Sequence, residues 1–198
     1  MGQYWKAVLE KSDDLMVVDP MEYNVGWKLT EHSFYGNIAV LRVIDELRSS
    51  KARVWWVGDY YGDYDSEGAS EFRADILEAA WADGAASLKG APATSQIQEL
   101  SGYLVNHTKR EYVDMRKCFL SNEFSFGEEK GWCLEPLPLL TAVSNGLGGG
   151  DFHKGGDDYE SVGTWAGDEI SFSMERPDYA ERTARFIEKG YRRVAEAV

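Results

Sequence analysis

Arg53-Val54-Trp55-Trp56-Val57-Gly58-Asp59 sets the framework of the chain. Its β-branched and aromatic residues, stopped by a Gly-Asp turn, read as a compact buried strand over 53–57. On its amino side, Asn37 is a good N-cap for a helix over 38–48, with Val40, Leu41, Ile44 and Leu47 at helical spacing. On its carboxyl side a second helix is expected over 70–83, burying Phe72, Ile76, Ala79, Ala80 and Trp81 and closed by Gly84.

Farther out, residues 4–9 (YWKAVL) read as a first strand. Asp19-Pro20 marks a turn, and 23–29 is expected to be a short strand broken by Gly26. Residues 103–105 and 111–115 read as hairpin arms around 106–110. A strand is expected over 137–143, a strand pair or bent strand over 163–172, and a closing helix from Pro177. That helix carries a basic stripe of Arg182, Arg185, Lys189, Arg192 and Arg193. Helices and strands mix without strict alternation, which favours α+β. The expectation is a single domain over 1–198, a mainly antiparallel or mixed sheet and about three helices. Residues 90–95 are the best candidate for a flexible junction.

Acidic residues number 34 against 21 basic, a formal charge of −13. Such a balance opposes direct nucleic-acid binding, which depends on Lys and Arg neutralising phosphates. It serves solubility, or alternatively fits a partner that is itself basic. The acids concentrate in 59–83 and 151–169, where they face only Arg73 and Lys154 respectively. Short apolar runs and the charges Lys6, Glu10 and Lys11 lead us to expect no membrane span, no signal peptide and a cytoplasmic setting. Cys118 and Cys133 lack zinc-ligand spacing.

Two acidic turns share the pattern Trp-x-Gly-Asp: Trp56-Val57-Gly58-Asp59 and Trp165-Ala166-Gly167-Asp168. Glycine permits a turn from which Asp59 or Asp168 projects, and a shared site is one expectation; two unrelated turns are the other. The run Gly146-Leu147-Gly148-Gly149-Gly150-Asp151 matches neither the dinucleotide fingerprint nor a P-loop, yet its backbone N–H groups suit an anion. Asp151, Asp157 and Asp158 are candidate ligands for a divalent metal. His153 is the first candidate for acid–base work, followed by His32 and then His107. Trp56, Tyr60, Gly148, Gly149, Gly150 and Trp165 are candidate ligand contacts, since aromatic residues crowd the acidic segments.

The opening Met1-Gly2-Gln3-Tyr4-x-Lys6, Gly26-Trp27-Lys28-Leu29-Thr30-Glu31-His32-Ser33 and Val57-Gly58-Asp59-Tyr60 resemble segments of a family of small uncharacterised bacterial and phage-borne proteins. So do Asn106-His107-Thr108-Lys109-Arg110-Glu111-Tyr112-Val113, Pro136-Leu137-Pro138-Leu139-Leu140-Thr141-Ala142, Gly148-Gly149-Gly150-Asp151 and Gly163-Thr164-Trp165-Ala166-Gly167-Asp168. The resemblance implies a common fold and mobile-element surroundings, without an established reaction. It also implies a histidine ahead of the Pro-Leu-Pro-Leu-Leu run, where this chain has Glu135.

Two functions follow from these residues. The first is a binding or accessory protein whose acidic, aromatic surface around 56–65 engages a basic protein or a small molecule. The second is a metal-assisted enzyme on a phosphate-containing or nucleotide-like substrate. In it the glycine loop holds the anion, His153 moves protons, and Asp59 and Asp168 position a metal or water.

Overall fold

The central strand is where the sequence placed it. In the computed structural model, which describes residues 3–33, 36–61, 73–83, 87–92, 102–117, 123–126, 129–133, 135–143 and 161–182, it spans Ala52–Gly58. The elements in chain order are β1 (Trp5–Lys11), β2 (Asp14–Val18), α1 (Leu29–His32), α2 (Ile38–Ser49), β3 (Ala52–Gly58), α3 (Ala74–Trp81), β4 (Tyr103–Asn106) and β5 (Glu111–Asp114). They continue with β6 (Glu123–Phe126), β7 (Glu129–Cys133), α4 (Pro136–Leu140), β8 (Ala142–Val143), β9 (Glu169–Ser173) and β10 (Ala180–Glu181). Short 3₁₀ turns occupy Pro20–Tyr23 and Asp59–Tyr61.

Eight strands form one mixed sheet in the order β10-β5-β4-β9-β3-β1-β2, with β8 also pairing β3. Most neighbours are antiparallel; β3 with β8 and β5 with β10 run parallel. The chain is an α+β protein, with four α-helices among the described residues, two of them single turns. No helix among those residues is long and apolar enough to cross a membrane.

Successive residues of a strand face opposite sides, so the sheet carries a core on each face. On one face α2, α1 and α4 bury Trp56, Val54, Leu104, Val113, Ile170 and Phe172. On the other, α3 brings Ile76 and Ala80 onto Val8, Trp55 and Val57. The Asn37 cap of α2 is as read: its side chain accepts from Ala39 N and Val40 N.

Several expected elements differ. The partner of β1 is 14–18, not 23–29, because Ser12 and Asp13 both take positive φ (49° and 75°) and close a two-residue hairpin. Residues 23–29 instead leave a 3₁₀ turn and enter α1. The strand expected at 137–143 is a helical turn followed by two strand residues, since proline favours the first turn of a helix and lacks a ladder N–H. No helix starts at Pro177: Ala180–Glu181 pairs with β5, and Arg182 N donates to Tyr112 O at 2.8 Å. The remainder of that expected helix lies outside the described residues, as do Phe72, Gly84 and residues 93–95. Residues 161–167 form turns that deliver β9 rather than a strand of their own.

Gly167 holds the approach to β9. Its φ is +77°, its N–H donates to Val54 O at 2.8 Å, and a Cβ there would lie 2.8 Å from Trp55 Nε1. Left-handed backbone costs an L-residue about 1–2 kcal/mol before any contact with the indole is counted. Gly167→Ala should therefore destabilise the protein by at least ~1–2 kcal/mol in urea unfolding, with m unchanged.

Candidate functional site

Gly58 ends β3 with no side chain because the Gln3 amide lies where one would go; a Cβ would sit 2.0 Å from Gln3 Nε2. The chain then turns, and Asp59 clamps the entry to β1 through both main-chain groups of one residue, Tyr4. Asp59 N donates to Tyr4 O at 2.9 Å, and Tyr4 N donates to Asp59 Oδ1 at 3.0 Å. Held this way, Tyr4 is 47% exposed and its ring meets Trp27 edge-on, with centroids 5.2 Å apart. Trp27, Asp59 and Tyr60 are each half-buried, so one end of the sheet presents aromatic rings beside a carboxylate.

Trp27 is fixed from beneath. Its carbonyl accepts from Trp5 N at 2.9 Å, and the preceding carbonyl, Gly26 O, lies 2.8 Å from His32 Nε2. The other ring nitrogen, Nδ1, accepts the Trp56 indole N–H at 2.8 Å. An indole N–H only donates and a carbonyl only accepts, so His32 must be neutral with its proton on Nε2. Burial agrees, lowering its pKa to about 4. His32 is therefore a buried brace rather than an acid–base group open to solvent.

Next to this brace lies Glu135, which is 0% exposed with both carboxyl oxygens unpartnered. As N-cap of α4 it makes no side-chain cap bond; residues 136 and 138 are prolines and carry no N–H. Its own N–H donates to Ser33 O at 2.6 Å, bringing the Glu31-His32-Ser33 and Glu135-Pro136 segments together. Burial alone raises its pKa to about 8. Sequence reasoning missed Glu135 as a site residue, though a lone acid in Leu134-Glu135-Pro136-Leu137-Pro138-Leu139-Leu140 was the available signal.

Asp168 is elsewhere. Gly167 N bonds Val54 O and Glu169 pairs with Arg53, whereas Asp59 leaves the far end of β3. The two turns stand five residues apart along β3, roughly 15 Å. They are unrelated turns and not one site. Asp168 is 8% exposed, accepts from Asn106 Nδ2 at 2.7 Å and pairs with Lys109. Glu169 N donates to Thr108 Oγ1 at 2.9 Å, and Trp165 Nε1 to Glu111 Oε1 at 2.5 Å. The Asn106–Glu111 and Trp165–Glu169 segments thus hold each other.

Two candidate ligand contacts are corrected by burial. Trp56 is 1% and Trp165 0% exposed, and their indole N–H groups are spent on His32 and Glu111, so neither faces a surface ligand. Gly148, Gly149, Gly150, Asp151, His153, Asp157 and Asp158 lie outside the described residues. Val143, just ahead of that segment, pairs in parallel with Val57 and so ends at the same sheet end as Asp59. Among the described residues no three His, Cys, Asp or Glu side chains are grouped to hold a metal. His107 packs on Tyr179 at 6.0 Å and reaches Ser171 Oγ at 2.8 Å.

No family model, no curated protein and no solved structure matches this chain, so function is argued from the residues.

Glu135 and His32 set opposite pH dependences. Glu135 moves from the ordinary 4.5 to about 8 on folding, so its contribution is intact below 4.5 and is lost progressively up to 8. His32 moves from 6.5 to about 4, so its contribution is intact above 6.5 and is lost as pH falls to 4. Of these two groups Glu135 alone acts between 6.5 and 8, at about 1.4 kcal/mol per pH unit. Chemical unfolding across this window should show that loss in the wild type and not in Glu135→Gln, which should be the more stable protein at pH 8.

Proposed function

We propose that the chain is a binding protein whose sheet end at Tyr4, Trp27, Asp59 and Tyr60 receives a cationic side chain of a basic protein partner. The observation that carries this is Tyr4, a residue 47% exposed whose ring meets Trp27 edge-on, on a backbone clamped by Asp59. An aromatic face attracts a cation through its quadrupole, worth about 0.5–2 kcal/mol, and a neighbouring carboxylate adds charge. With a formal charge of −13, the chain's field also steers basic partners toward it. Of the acidic and aromatic surface expected around 56–65, this reading keeps Asp59 and Tyr60 and adds Tyr4 and Trp27; residues 62–65 lie outside the described residues. On this reading the protein acts in the cytoplasm as an accessory of a mobile element.

The test is a titration with hexa-arginine, followed by NMR of the tryptophan indoles. The Trp27 indole and the Tyr4 and Asp59 amides should shift together. Tyr4→Ala should weaken binding about tenfold, a loss near 1.4 kcal/mol. Asp59→Asn, which keeps the acceptor for Tyr4 N but removes the charge, should weaken binding and flatten its salt dependence. Shifts scattered over the acidic surface, with Tyr4→Ala binding as well as wild type, would overturn the proposal.

A further inference from the structure

Of the buried charged or titratable groups described, His32, Asp114 and Asp168 have partners, whereas both oxygens of Glu135 have none. What Glu135 does hold is main chain. Its N–H is bonded to Ser33 O at 2.6 Å, and Ser33 closes α1 by donating N–H and Oγ to Leu29 O at 3.0 and 2.8 Å. One residue back, His32 holds Gly26 O, and Gly26 leads into Trp27. Residues 26–33 thus form a strap. It is fastened to β1 through Trp27 O and to α4 through Glu135.

The charged groups on the elements around α4 do not relieve the carboxyl. In α1, Glu31 is acidic and accepts from Lys28 N, and His32 has both nitrogens committed. In β3, Arg53 is exposed and faces Glu10 at 4.0 Å. In the 161–168 turns packed on α4, Asp168 is held by Lys109 and Asn106. An ionised Glu135 must therefore reach water, because an uncompensated buried charge is too costly to keep. Parting Glu135 N from Ser33 O, the main-chain bond that joins α4 to α1, would let it do so.

We propose that Glu135 is a proton-operated latch on the 26–33 strap: protonated it keeps the strap closed, and its ionisation releases α1 and with it Trp27. This regulation rests on the binding site proposed above. Burial, which favours the neutral carboxyl, gives the latch its range between 4.5 when open and about 8 when closed. His32 opposes it below 6.5, since release lets the imidazole charge. The two effects cancel from 4.5 to 6.5, leaving Glu135 alone above 6.5.

Amide hydrogen exchange on the full chain tests the latch. Protection factors of the His32, Ser33 and Glu135 amides should be level to pH 6.5, fall about tenfold per unit to pH 8, and level off above. In Glu135→Gln they should stay level from 6.5 to 8. Glu135→Leu, which needs no partner, should behave the same and guards against a glutamine that packs poorly. Hexa-arginine at 100 times its dissociation constant should raise these protection factors about 100-fold by binding only the closed strap. The latch is overturned if the fall persists in both variants. It is also overturned if the Ile44 amide of α2 exchanges through the same opening, which makes the event global unfolding. A fall confined to wild type, with bound peptide leaving protection unchanged, overturns the regulation. Absence of any peptide binding at Trp27 overturns instead the binding proposal, while the exchange profile still reports the latch.

Discussion

Two adjacent tryptophans on a central strand must face opposite ways, and both cores depend on that alternation. Trp56 points among α1, α2 and α4, where His32 takes its indole proton. Trp55 points to α3, leaving so little room that the chain entering β9 passes it as Gly167 with φ +77°. Slipping β3 by one residue would exchange the two faces and strand both rings. Pairing reinforces the alternation: β1, β8 and β9 all bond to β3, and Gly167 N adds a bond to Val54 O. A strand fixed on both faces has a fixed end, which is why Asp59 can clamp Tyr4 with two hydrogen bonds rather than move with a loop.

The interior admits polar groups on strict terms, and three residues show the range. His32 enters neutral because its neighbours ask for one donor and one acceptor, the inventory of a neutral imidazole. Asp168 enters beside an amide and an ammonium, so its charge is answered where β4 and β5 meet the turn before β9. Glu135 enters with nothing to answer it. Removing both partners from a buried pair can be neutral, whereas leaving one orphaned costs its full desolvation. A shape-filling leucine at 135 would be the better choice for stability alone, so the acid's presence asks for a use.

Legibility in the sequence followed the kind of signal each element carries. The strand at 52–58, the helix capped by Asn37 and the hairpin at 103–114 were readable because apolar period and turn chemistry agreed locally. The β1–β2 hairpin was not, since Ser12-Asp13 is a weak turn dipeptide and Leu15–Val18 lacks alternation. The apolar run 137–143 reads as a strand, but Pro136 just ahead of it takes the first position of a helical turn that continues to Leu140. Of the residues in the proposed binding site, Asp59 and Tyr60 were legible as a strand-end turn beside aromatics. Tyr4 and Trp27 were not, because their meeting depends on β1 lying against β3, a long-range pairing that local patterns do not encode. The matched Trp-x-Gly-Asp turns were misleading for the same reason: the tetrapeptides are alike, but β3 carries one at its end and the other beside its start.

Charge accounting bears on what such a site meets. Many described basic residues are already taken. Lys6 pairs with Asp19, Lys11 and Arg42 with Glu46, Arg73 with Glu10 and Asp75, Arg116 with Asp114, and Arg182 with Glu111. An exposed pair such as Arg73 with Asp75 adds little stability, about 0–1 kcal/mol, whereas Lys6, Lys11, Arg42 and Arg182 meet carboxylates that are part-buried. The larger consequence of all these pairs is that cations are neutralised locally, while the acidic excess of 13 charges remains to set the far field. On the proposed reading, a cationic group approaching the Tyr4–Trp27 corner gains from that field before contact and from the ring faces at contact.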